Sequence, residues 1–137
     1  MKLTIENEEY TLYWGLPAFG LASEELGGMT PYEIIGDMGN PNTANTITYF
    51  ALLLGYRIEK DDKFAKLPFG EMKFVKWLEQ QPQELANGIF KDFLEFSTHE
   101  ESWAKRLQID IEKLFPSEEQ EEKPKKKATS KRTPKSS

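Results

Sequence analysis

The sequence predicts an α+β fold that is mainly α: an N-terminal β-hairpin, about five or six helices, and a disordered C-terminal tail. Three observations carry that expectation. Apolar residues alternate with period two over residues 2–14, the pattern of strands with one buried face. From residue 16 onward the spacing changes to threes and fours, punctuated by Pro, Gly and Asn at the helix boundaries. Beyond Pro116 there is no large apolar residue, so that segment cannot offset the entropy of ordering itself. A chain of 137 residues suffices for one domain and is short for two. The expected division is a single globular unit over 1–115 and a charged tail over 116–137.

In the hairpin, Leu3 and Ile5 alternate with Lys2, Thr4 and Glu6, and Tyr10, Leu12 and Trp14 alternate with Thr11 and Tyr13. The turn is expected at Asn7-Glu8, because Asn tolerates the positive φ that a tight hairpin needs. Pro17 suits a first helical turn, where its missing N–H costs nothing. Leu16, Phe19, Ala22 and Leu26 then share a face, and Gly27-Gly28 stops the helix. Thr30 and Glu33 have the spacing of a capping box, with Pro31 opening a short helix through Ile34, Ile35 and Met38 up to Gly39.

Asn40 and Pro41 open the strongest helix signal. Ala44, Ile47, Ala51, Leu54 and Ile58 repeat every three or four residues, and Phe50 and Leu53 widen the stripe. A link broken by Pro68 and Gly70 leads to a helix through Met72, Phe74, Val75, Trp77 and Leu78, which Pro82 ends. The next helix carries Leu85, Ala86, Ile89, Phe90, Phe93 and Leu94. Two overlapping capping boxes, Ser97 with Glu100 and Thr98 with Glu101, precede a last helix with Trp103, Leu107, Ile111 and Leu114.

Charge and composition exclude several functions. Residues 116–137 hold seven of the 18 bases and four of the 23 acids, which leaves the body at −8 and the tail at +3. An acidic body is a poor surface for a polyanionic duplex, and no aromatic is interleaved among the tail lysines to stack on bases. There is no cysteine, hence no disulfide and no zinc–thiolate site. The start lacks the apolar stretch of a signal peptide, and no apolar run approaches the roughly 18 residues of a membrane span. An intracellular protein is expected.

Catalytic signals are missing as well. The single histidine, His99, sits in a helix-boundary segment without a second histidine or a cysteine. No G-x-S-x-G elbow and no glycine-rich phosphate loop occurs, and the acids at 59–62 lack calcium-loop spacing. No catalytic residue, metal ligand or cofactor is expected. The aromatic residues Phe74, Trp77, Phe90, Phe93, Phe96 and Trp103 admit two readings, core packing or a groove for an apolar segment of another chain.

The order of these elements carries a resemblance. The opening MKLTIENEEYTLYWG, with Leu3, Ile5, Tyr10, Leu12, Trp14 and Gly15 in matching places, resembles the start of the tail assembly chaperones of long-tailed, siphovirus-like bacteriophages. The stretch TANTITYFALLLGYRI is similar to that family's middle helix, and FGEMKFVKWLEQQPQELANGIFKDFLEF is similar to its later helix pair. The resemblance spans roughly residues 1–115. It implies a non-enzymatic protein of the host cytoplasm, absent from the mature virion. Its partners would be the tape-measure protein, whose apolar helices it keeps from aggregating, and the tail-tube protein. Self-association is left open, and membrane and nucleic acid are not expected partners. The family often makes a longer product by programmed ribosomal frameshift. Lys125, Lys126 and Lys127 could be encoded by the run of adenines on which ribosomes slip. The competing readings are another small phage or bacterial adaptor, and a nucleic-acid-associated protein that uses the basic tail.

Overall fold

A computed structural model describes residues 1–99 and 101–106. The expected domain end at 115, the tail, the lysines at 125–127 and the last-helix positions 107, 111 and 114 lie outside the described residues.

The chain opens with β1 (Lys2–Ile5) and β2 (Glu8–Thr11), paired antiparallel with Lys2 opposite Thr11 and Ile5 opposite Glu8. That register places the two-residue turn at Glu6-Asn7, one residue earlier than expected. Both residues are left-handed, with φ of 53° and 70°, as a turn matching the twist of the strands requires. Asn accepts that conformation readily; Glu6 does so at a cost of about 1 kcal/mol. The alternation holds, since Leu3, Ile5, Tyr10, Leu12 and Trp14 are all buried.

Helix α1 (Leu16–Glu25) buries Ala18, Phe19 and Ala22. Leu16, expected on the buried face, is 51% exposed at the helix start, although Trp14 before it and Ala18 after it are buried. Gly27 and Gly28 have φ of 71° and 88°, and the Gly28 N–H donates to the Ser23 carbonyl, which closes the helix as expected. Helix α2 (Pro31–Gly36) begins with both arms of the Thr30–Glu33 capping box, at 3.1 and 2.8 Å. It ends at Gly36 rather than Gly39, while Met38 still reaches the core.

Helix α3 (Pro41–Lys60) is the centre of the fold. The Asn40 side chain accepts from the Asn42 N–H at 3.0 Å, and Pro41 opens the helix. Ile47, Ala51, Leu52 and Leu53 are buried, whereas Ile58 is 53% exposed, so the buried stripe stops a turn early. Three buried threonines extend the stripe that apolar spacing alone marks. Their hydroxyls donate to the Asp37 carboxylate at 2.6 Å (Thr43), the Glu71 carboxylate at 2.8 Å (Thr46) and the Ala44 carbonyl at 2.6 Å (Thr48). Each buried hydroxyl is therefore satisfied.

The hairpin exit lies directly on α3. The Tyr13 N–H donates to the Ala51 carbonyl at 3.1 Å. At Gly55, a Cβ would collide with the Thr11 carbonyl oxygen, so only glycine permits this approach of backbone to backbone. Helices α4 (Glu71–Glu79) and α5 (Gln83–Thr98) follow, separated at Pro82 as expected, and a further helical turn covers 103–106.

Candidate partner-binding cleft

Trp14 leaves the hairpin with its ring against Phe93 of α5, centroids 5.3 Å apart and edge to face. Its indole N–H donates to the Asp92 carboxylate at 2.9 Å, and Asp92 also lies 3.6 Å from the Met1 ammonium. Its carbonyl accepts from the Trp103 indole at 2.9 Å. Trp103 in turn packs edge to face on Phe19 of α1 at 4.8 Å and contacts Phe96 at 5.7 Å. Residues from opposite ends of the described chain thus meet at one indole. Both indole N–H groups are partnered, which lets large amphipathic rings pack inside the fold without an unmet donor.

After α5 the chain turns sharply. Ser97 and Thr98, expected as caps, are still inside α5, where both hydroxyls donate back to the Leu94 carbonyl. The cap belongs to Ser102, whose hydroxyl accepts from the Lys105 N–H at 3.1 Å and starts the turn at 103–106. Glu100, a member of the other expected box, lies outside the described residues. His99 ends α5, and its Nδ1 accepts from the Glu101 N–H at 3.2 Å.

Between the hairpin exit and this turn lies a cleft of about 670 Å³. Leu12, Trp14, Phe96 and Trp103 make its apolar lining, and Glu95, His99, Glu101 and Arg106 stand at its rim. That volume falls within the range of sites that bury a ligand or several side chains of a partner.

The six aromatic residues singled out in the sequence have different fates. Phe96 and Trp103 line the cleft, and Phe93 is buried behind it. Phe74 is fully buried, with Trp77 stacked on it at 6.0 Å, and this pair lies away from the cleft lining. Phe74 and Phe93 are core residues with almost no surface to offer a partner. Phe90 is 43% exposed on α5, one turn from the equally exposed Leu94. Sequence spacing did not single out Leu12, Trp14 and Asp92 for the cleft. Trp14 gave a signal only as the last inward residue of the hairpin, and Asp92 gave none.

Among the described residues, no group of three His, Cys, Asp or Glu side chains could hold a metal ion, and no helix is long and apolar enough to cross a membrane. No family model, curated protein or solved structure matches the chain.

Proposed function

We propose that the chain is a non-enzymatic tail assembly chaperone of a long-tailed bacteriophage, acting in the host cytoplasm. In this reading it binds apolar helical segments of the tape-measure protein and hands them to the assembling tail tube. The observation that carries the reading is apolar surface that the other described residues leave open in two places: the cleft where the half-buried Phe96 and Trp103 lie, and the outward Phe90 and Leu94 on another face of α5. A small protein gains nothing in its own stability from such surface, and a helix from another chain can bury it. The resemblance of the hairpin, the central helix and the later helix pair to that chaperone family supports the same reading.

The test is coexpression with a fragment of the tape-measure protein from the same genome. The fragment is expected in the soluble fraction with the chain and in the pellet without it. Equal precipitation in both cases would falsify the proposal.

A further inference from the structure

We infer that the Trp14–Trp103 cleft selects its helix by charge, taking an apolar anchor flanked by lysine or arginine. This rests on the reading of the chain as an escort of apolar helices, and it adds which helices it prefers.

The lining is apolar and already satisfied. Both indole N–H groups have partners inside the fold, so they offer no free donor, and with Trp14 buried the ring surface open to an incoming segment is that of the half-buried Phe96 and Trp103. Selectivity must then come from the rim. Asp92 is engaged twice, by the Trp14 indole and by the Met1 ammonium. Glu95 and Glu101 are exposed at the rim, and neither has an ion-pair partner among the described residues. Among the described lining residues, Arg106 is the cation that stands against them, since the Met1 ammonium is held by Asp92. The rim therefore keeps an acidic surplus, and the −8 of residues 1–115 sets a field of the same sign around it. An apolar anchor in the cleft would bring its neighbouring residues to Glu95 and Glu101, within the roughly 8–10 Å over which charges act at physiological salt. Basic flanks are attracted there, and acidic flanks are repelled.

The experiment uses the full chain and two synthetic amphipathic helices that share one leucine face, one flanked by lysines and the other by glutamates. The readout is the indole N–H signals in a proton–nitrogen NMR spectrum. Trp14 and Trp103 report the cleft, and Trp77, outside its lining, is the internal control. The lysine-flanked helix is expected to shift the Trp14 and Trp103 signals and to leave Trp77 in place. It should bind about three- to tenfold more tightly than the glutamate-flanked one, the scale of two exposed ion pairs. Glu95→Lys/Glu101→Lys is expected to invert that preference. Raising the salt concentration, which needs no variant, should weaken the lysine-flanked helix more. Equal binding of both helices, binding of neither, or shifts that fall on Trp77 alone overturn the inference. If any of these occurs while the tape-measure fragment still stays soluble, charge selection falls and the chaperone reading stands.

Discussion

Helices α3 and α5 both carry broad apolar stripes, but they begin and pack differently. The first turn of α3 is capped by the Asn40 side chain, whereas α5 follows Pro82 with no side-chain cap. In α3 even the polar members of the stripe, Thr43, Thr46 and Thr48, are buried and hydrogen-bonded. In α5 only Ile89, Phe93 and Ser97 are buried, and Phe90 and Leu94 face out. A helix whose apolar arc matches its contacts over all but its last turn, where Ile58 is exposed, holds the fold together. A helix whose arc exceeds its contacts has area to give to something else. Apolar content alone does not separate the two roles; the fit between arc and contact does.

The largest expected effect tests this division directly. Phe19→Ala, in the core beside α3, should cost about 4 kcal/mol in a urea titration. Phe90→Ala on α5 should cost about 1 kcal/mol or less, because much of that ring is already in water. Similar losses for the two variants would mean that α5 belongs to the core and would remove its claim to a partner.

Next in size is the seam between the regions. Trp14→Phe keeps an aromatic side chain, smaller than the indole, and deletes the N–H that binds the Asp92 carboxylate. A loss of about 1–2 kcal/mol is expected, since a hydrogen bond to a charged group is stronger than a neutral one. Hydrogen exchange should speed up in α5 more than in α3. Uniform acceleration across both helices would show that α5 has no independent looseness.

The smallest effect appears in alkali. Burial, and then the nearby Glu8, raises the Tyr10 phenol above its ordinary value, and burial followed by Glu71 does the same for Tyr49. The unfolded chain then loses these protons first, near pH 10. Stability should be level below about pH 10 and fall as pH rises through the higher folded values. Both tyrosines serve the hairpin and α3, and α5 has none. Tyr49→Phe should flatten the alkaline limb of the pH–stability curve, at the cost of its hydrogen bond to the Phe69 carbonyl. A limb unchanged by both Tyr10→Phe and Tyr49→Phe would assign it elsewhere.

What could be read from the sequence follows from which effects are local. Capping at Thr30–Glu33, the Asn40–Pro41 start and the Gly27-Gly28 stop depend on neighbours a few residues away, and all three are found. The hairpin turn slipped by one residue because Asn7 suits either position of the turn, and only the pairing of Ile5 with Glu8 decides between them. The cap chosen at Ser97 or Thr98 proved to be Ser102, because both of those hydroxyls bond back to the Leu94 carbonyl inside α5. The cleft was half visible. Phe96 and Trp103 belong to it by apolar spacing, but Trp14 and Asp92 are 78 residues apart and no periodicity joins them. Gly55 was likewise silent, since its need arises from a strand carbonyl 44 positions earlier in the chain.

That 78-residue separation has a consequence in time. At about 5–20 residues per second, a ribosome adds Asp92 roughly 4–16 s after Trp14. Until then the last tryptophan of the hairpin has neither the carboxylate nor the Phe93 ring that completes its surroundings. For those seconds the nascent chain shows an aromatic surface that the finished fold covers. A protein proposed to shelter the sticky helices of another chain thus passes through its own interval of exposure, and that interval closes only when α5 is made.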